Sequence, residues 1–198
     1  MCNKARSNSQ FERGLTLIEL LIFIVIIGIA ATAILGVFGS LTRNSASLLP
    51  DKQAQAIASS MMNEILALPF TYCDPDDPRA PIATNASSSP PGCTNAGLVE
   101  SLGPETLPGP TEMRGGARPF DNVNDYHGYS QTGITFPDNV TAVPGLGAYQ
   151  IDVSVANAGA NFGLAPEEAL QIIVTVTFNG ALVARLDGVR FRYAPTTI

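Results

Sequence analysis

The sequence predicts an α+β protein in which a long N-terminal helix packs on a C-terminal antiparallel β-sheet. Three observations support this prediction. Residues 20–39 contain no charge and no proline, residues 51–68 repeat apolar side chains every three or four positions, and two segments near the C-terminus alternate apolar with polar residues. The first two patterns are typical of helices, and the third is typical of strands with one buried face.

The uncharged segment is long enough to cross a membrane. As a helix rising about 1.5 Å per residue it covers roughly 30 Å, the thickness of the bilayer hydrocarbon. Residues 1–14 carry Lys4, Arg6 and Arg13 against Glu12, so the remaining chain has 8 of the 11 basic and 16 of the 17 acidic residues. A basic flank stays in the cytoplasm, which predicts a single-pass protein with an exported C-terminal part.

An acidic exported part argues against nucleic-acid binding, because few basic residues are available to neutralise phosphates. Arg185, Arg190 and Arg192 are the one local basic group that leaves this open. An enzyme is not expected either. The only histidine is His127, and no phosphate-binding loop, metal-ligand spacing or nucleophile motif accompanies it, so a structural or contact role is predicted.

The N-terminus differs from an ordinary secretory signal, whose cleavage site follows a short apolar core. Here the segment Arg13-Gly14-Leu15-Thr16-Leu17-Ile18-Glu19-Leu20 precedes and enters the apolar run. It resembles the prepilin peptidase recognition sequence of type IV pilins and type II secretion pseudopilins. The resemblance implies cleavage between Gly14 and Leu15, N-methylation of Leu15, and a glutamate, Glu19, as fifth mature residue. Leu15 departs from the usual phenylalanine.

Glu19 lies at the edge of the apolar run, where a buried, unpaired carboxylate is costly. Cleavage would create an α-amine on Leu15, and the amine of a neighbouring subunit could pair with Glu19 and set the register of a fibre. The alternative is an interfacial glutamate on a simple anchor helix. Gly28, Thr32 and Gly36 follow one side of the same helix, either as a packing face or as ordinary membrane glycines.

The chain divides into a leader (1–14), a transmembrane and fibre-core helix (15–49), an amphipathic helix (50–69), a loop-rich region (70–147) and a sheet (148–198). Pro50 either kinks the helix or begins a second helical segment, and Pro69 ends it. The amphipathic pattern predicts a buried face, in which Met61-Met62 is core rather than a metal site. The positions are Ala54, Ile57, Ala58, Met61, Ile65 and Leu68.

Strands are predicted at residues 149–155 and 170–178, with a return from Leu182 to Tyr193. Asn179-Gly180 between the last two is a strong two-residue hairpin signal. The apolar face of this sheet is expected to pack on the amphipathic helix.

The loop-rich region holds Cys73 and Cys93, the two cysteines that remain once Cys2 leaves with the leader. An oxidising compartment favours a disulfide between them over free thiols or a metal site. Closing such a loop stabilises by roughly 3 kcal/mol in the chain-entropy model.

Two acidic segments of this region are predicted to have different roles. Oxygen ligands in one short loop make a weak calcium candidate, although the spacing is not that of an EF-hand and such turns are common without an ion. They are Asp121, Asn122, Asn124 and Asp125. Asp74, Asp76 and Asp77 lie among prolines and are predicted to be a solvated loop.

A narrower resemblance extends beyond the leader. Segments 53–58, 63–66, 69–70, 120–128 and 190–193, together with the sheet, look like those of minor pilins of the mannose-sensitive haemagglutinin (MSHA) pilus system. This implies a type IV pilin-like fold and a structural subunit without a cofactor, in the bacterial inner membrane with a periplasmic domain and later in a fibre. The implied partners are other pilin subunits, prepilin peptidase, the inner-membrane assembly platform and the membrane. The alternatives are a type II secretion minor pseudopilin and a membrane-anchored periplasmic domain.

Overall fold

The computed structural model describes residues 14, 16–106 and 109–192, with the backbone alone described for residues 40–48. A helix, α1 (Leu17–Ala67), is followed by the strands β1 (Ser130–Thr132), β2 (Tyr149–Asn157), β3 (Ala169–Phe178) and β4 (Ala181–Phe191). Short 3₁₀ helices cover Ala96–Leu98, Val123–Tyr126, Gly159–Phe162 and Pro166–Glu168. The α+β prediction is therefore confirmed.

The first half of α1 has the length and composition of a membrane span. The segment Leu17–Gly39 is strongly apolar, and Glu19 is its one charged residue. Its large apolar side chains remain exposed, from 49% at Ile27 to 82% at Leu17. A contiguous apolar surface of this size is stable only against lipid or other protein chains. Such a surface on this half of the helix is suited to contact with lipid or with another protein chain.

The chain divides into two compact units between Leu48 and Leu49. Helix α1 crosses this boundary and includes Pro50. Proline has no N–H to donate, so one helical hydrogen bond is missing there. The helix ends at Ala67, two residues before the expected boundary. Leu68 precedes Pro69, and a residue before proline is disfavoured in the α conformation.

Within the second unit, the end of α1 packs on the sheet. The predicted helix face is buried, and Leu68 is partly buried. Met61 and Met62 are 3% and 7% exposed, which confirms that they are core residues. The sheet contributes a matching apolar face to the same core: Tyr149, Ile151, Val153, Val155, Leu170, Ile172, Val174, Val176 and Ala184.

The sheet is antiparallel in the order β1-β2-β3-β4. Its register sets Ile151 opposite Val176 and Val153 opposite Val174, so the apolar residues of neighbouring strands share one face. Asn179 and Gly180 both have positive φ, 51° and 81°, as a type I′ hairpin requires.

The region 70–147, expected to be loop-rich, contains a short strand, β1, that was not predicted. Ser130–Thr132 pairs with β2 as an edge strand. Three polar residues are too few to show a period of two, so the sequence carried no signal for it. At the other end, β4 is described to Phe191, and Tyr193 lies outside the described residues.

Candidate functional site

The N-terminal motif directly precedes α1. Gly14 is exposed and outside the helix, and the backbone N–H groups of Glu19 and Leu20 donate to the carbonyl oxygen of Thr16 at 3.1 and 3.2 Å. Leu15 and the remainder of the leader, residues 1–13, lie outside the described residues. The roles expected of Gly14 and Leu15 in cleavage and methylation stay predictions.

Glu19 occupies the exposed first turn of α1. A carboxylate there interacts favourably with the positive end of the helix dipole, by about 0.3–1 kcal/mol. Among the described residues, none donates a hydrogen bond to this carboxylate or forms an ion pair with it. The geometry leaves Glu19 accessible to a cation supplied by another molecule, as the register hypothesis requires.

The small residues along α1 are open to contact. The Thr32 hydroxyl donates to the carbonyl oxygens of Gly28 and Ile29, at 3.1 and 2.9 Å, so its polar group is satisfied within the helix. A methyl group placed on Gly28 or Gly36 would meet no atom within 4 Å. Both interpretations of this stripe, a packing face or ordinary membrane glycines, therefore remain.

In the second unit, Cys73 and Cys93 form a disulfide with their Cα atoms 5.5 Å apart. Its formation in the exported protein stays a prediction. Asp74 and Asp77 lie in the loop that it encloses and were expected in solvent, but they are 0% and 1% exposed. Asp77 accepts hydrogen bonds from the Thr94 backbone N–H and hydroxyl, at 2.7 and 2.6 Å. Only Asp76 is exposed, so the prediction was wrong for the other two aspartates.

An ion pair connects α1 to the loop-rich region. Arg114, 6% exposed, donates through Nε and Nη2 to the two carboxylate oxygens of Glu64, at 2.6 and 2.7 Å. The Tyr126 hydroxyl donates to Glu64 at 2.7 Å. Burial alone would raise the pKa of Glu64, but the hydrogen bonds from Arg114 and Tyr126 outweigh it and hold this pKa below its ordinary value of 4.5.

The four calcium candidates do not converge on one point. Asn122 caps the 3₁₀ helix Val123–Tyr126 by accepting from the Val123 N–H, and its amide donates to the Thr71 hydroxyl at 2.7 Å. Its side chain is thus already engaged. The structure brings Asp121 and Asp125 into two different carboxylate clusters, neither of which the sequence predicted.

The first cluster contains Asp74, Glu112 and Asp121. Arg118 neutralises part of it, since Nη2 lies 2.7 Å from Glu112 Oε1 and 3.3 Å from Asp74 Oδ2. Burial and the charge of Glu112 raise the pKa of Asp121 to about 7.

The second cluster contains Glu100, Glu105 and Asp125. Burial and the charge of Asp125 raise the pKa of Glu100 to about 8. Burial and the charge of Glu100 raise the pKa of Glu105 to about 8, and burial is also the main reason that the pKa of Asp125 is raised to about 8. None of the ion pairs between described residues includes a member of this cluster.

The C-terminal arginines have separate intramolecular partners. Arg185 pairs with Asp187 at 2.9 Å, and Arg190 donates to the Leu68 carbonyl oxygen at 3.4 Å. Arg192 lies 3.8 Å from the ring centroid of Phe70 and 4.2 Å from that of Tyr72. These contacts favour a structural role over a phosphate-binding patch.

His127 also has a structural contact, because its Nδ1 accepts a hydrogen bond from the Val155 backbone N–H at 3.3 Å. This bond ties the 120–128 segment to β2. The sequence did not indicate Glu64, Glu100, Glu105, Glu112, Arg114 or Arg118, which are dispersed along the chain in no recognisable spacing.

A family model, the prokaryotic N-terminal methylation motif, matches residues 10–35. This range contains the expected cleavage point, Glu19 and most of the apolar helix. The match supports a type IV pilin or pseudopilin-like prepilin, which is a structural class that interacts with other pilins and with prepilin peptidase. The motif and the apolar helix together fit an inner-membrane anchored pilin. No curated protein and no solved structure matches the chain.

Proposed function

We propose that this chain is a minor pilin of an MSHA-type type IV pilus, resembling the minor pilin MshD. One observation carries the proposal: a methylation motif at residues 10–35 leads into a helix with Glu19 in its first turn and an unburied apolar surface beyond it. The segments that resemble MSHA minor pilins, around the end of α1 and residues 120–128, support the narrower assignment.

In the proposed mechanism the leader remains in the cytoplasm and the second unit is exported to the periplasm. Prepilin peptidase removes residues 1–14, and Leu15 is N-methylated. The apolar half of α1 then leaves the lipid and packs against the same region of other subunits, so apolar burial is retained. Glu19 exchanges water for the α-amine of a neighbouring subunit, a charge pair that is strong once water is excluded.

Mass spectrometry of the protein from its native host tests the maturation step. The expected N-terminal residue is N-methylated Leu15. A chain beginning at Met1 would favour the membrane-anchored periplasmic domain, and a cut after residue 30 would indicate an ordinary signal sequence. Either result would overturn the proposal.

The assembly role of Glu19 is tested with Glu19→Gln and Glu19→Ala. We expect both variants to reach the membrane at normal levels and to be lost from purified fibres, because neither can pair with an amine as an anion. Glu167→Gln removes an exposed carboxylate from the second unit and serves as the control. Normal incorporation of the two Glu19 variants would exclude the register role.

The pseudopilin alternative shares the methylation motif, so it needs a separate test. Deleting the MSHA assembly platform should abolish incorporation of the chain into fibres, whereas deleting the type II secretion platform should not. The opposite pattern would assign the chain to the secretion system.

A further inference from the structure

Buried oxygen atoms without a hydrogen-bond donor are concentrated in one part of the second unit. Of the buried side-chain polar atoms that lack a partner among the described residues, all but one are oxygens of the two acidic clusters and the adjoining Asn124. They are Glu100 Oε1, Glu112 Oε2, Asp121 Oδ1, Asn124 Oδ1 and Asp125 Oδ1. Buried polar groups are nearly always paired, so this concentration indicates that the oxygens hold either protons or a cation in the folded chain.

The cluster of Glu100, Glu105 and Asp125 has the geometry for a single ion. Each residue offers a carboxylate oxygen, and these oxygens lie within 4.8 Å of one another. Two ligands on opposite sides of a calcium ion, each bound at about 2.4 Å, are separated by about 4.8 Å. The three carboxylates are thus close enough to contact one ion together.

Asn124, which is not an acid, borders the cluster. It is 3% exposed, and its Oδ1 has no partner among the described residues. Its amide nitrogen lies 2.5 Å from Glu100 Oε2 and also contacts the Ser101 carbonyl oxygen, so the NH₂ end of the amide is the end that faces Glu100. Asp125, which follows it in the chain, is fully buried and has an unpartnered Oδ1 of its own.

The two clusters differ in whether an arginine or lysine side chain pairs with their carboxylates. Arg118 contacts the neighbouring cluster through Glu112 and Asp74. Arg192 borders a cavity of about 110 Å³ together with Glu100 and Asn124, but it donates hydrogen bonds to the carbonyl oxygens of Thr71 and Glu167. No described arginine or lysine forms an ion pair with the three carboxylates.

We propose that Glu100, Glu105 and Asp125 bind one Ca²⁺ ion. The donors are all oxygen, the ligand type of calcium, and bidentate carboxylates with water can complete the six to eight positions that calcium takes. Magnesium demands a stricter octahedral geometry and retains more water. The ion joins residues 100–105 to the 3₁₀ helix at 123–126, in a region that has few core side chains.

Calcium titration of the full chain in detergent, after treatment with a chelator, tests the site. Isothermal calorimetry with CaCl₂ should show one ion per chain, with binding at least tenfold tighter than that of MgCl₂. Glu105→Gln should weaken calcium binding at least tenfold, whereas Asp121→Asn, a carboxylate of the neighbouring cluster, should change it less than threefold. Absence of binding to the unmodified chain, or an equal loss in both variants, would overturn the proposal.

Thermal unfolding separates ligand binding from a structural role of Glu105. In chelator, Glu105→Gln should unfold at the same temperature as the unmodified chain or above it, because the variant removes a carboxyl group whose charged form is destabilised by burial and by Glu100. In excess calcium, the unfolding temperature of the unmodified chain should rise by several degrees, and that of the variant should not. A variant that is equally destabilised with and without calcium would show that Glu105 is structural and would refute its role as a ligand.

Discussion

The ion pair between Glu64 and Arg114 allows a quantitative test of how the loop-rich region is held on α1. Glu64→Gln preserves the shape of the side chain and removes its charge. Arg114, 6% exposed, is then left in place without a counter-charge. Breaking a buried pair in this way costs roughly 3–5 kcal/mol. Since the Glu64 side chain is 25% exposed, water compensates in part, and we expect about 3 kcal/mol.

Thermal unfolding in detergent is the assay. The chain has no tryptophan, so near-ultraviolet circular dichroism of its five tyrosines reports on tertiary structure, including Tyr126 beside Glu64. For a unit of about 150 residues, 1 kcal/mol shifts Tm by roughly 2–4 °C, so Glu64→Gln should lower Tm by about 6–12 °C.

Asp187→Asn provides a matched control, because it breaks an exposed ion pair. The side chains of Arg185 and Asp187 are 52% and 47% exposed. Exposed pairs contribute about 0–1 kcal/mol, so this variant should lower Tm by less than about 4 °C. Equal shifts for the two variants would refute the argument that burial of Arg114 makes the Glu64 pair important.

The contribution of the Glu64–Arg114 ion pair to stability should decrease at low pH. The pKa of Glu64 is lower in the folded chain than its ordinary value of 4.5, so folding favours the ionised form. The stabilisation that this ionised form contributes is complete above about pH 4.5, and it is lost as the pH falls through the pKa of Glu64 in the folded chain. The Tm difference between the unmodified chain and Glu64→Gln should therefore narrow below pH 4.5. A difference that stays constant down to pH 2 would contradict this explanation.

Three further variants probe the second unit by the same assay. Replacing Cys73 and Cys93 together by serine should cost about 3 kcal/mol, and unchanged stability would mean that the bridge does not form. Gly159→Ala should cost at least about 2 kcal/mol, because its Cβ would lie 1.8 Å from the Ala165 carbonyl oxygen; a neutral effect would contradict that close approach. Ile172→Ala in the core should cost about 2–5 kcal/mol, and Val140→Ala, at an 83% exposed position, should be near neutral. Similar losses for the last two would contradict the assigned core.

Local signals in the chain were sufficient to predict its N-terminal apolar helix, its amphipathic helix segment and its main strands. The apolar run, the repeat that buries Met61 and the alternation through Ile172 depend only on neighbours in sequence. Asn179-Gly180 likewise predicted its hairpin, because a type I′ turn needs two residues that tolerate positive φ. The methylation motif was also recognisable without a structure, since a peptidase recognises a short linear segment.

The tertiary structure alone decided the polar arrangement of the loop-rich region. Asp74 was expected in solvent and is buried, with its Oδ2 3.3 Å from Arg118 Nη2. Glu100, Glu105 and Asp125 meet although up to 25 residues separate them, and no local pattern encodes such a distance. Backbone conformation and burial periodicity are local properties, whereas the compensation of a buried charge depends on every segment that folds around it.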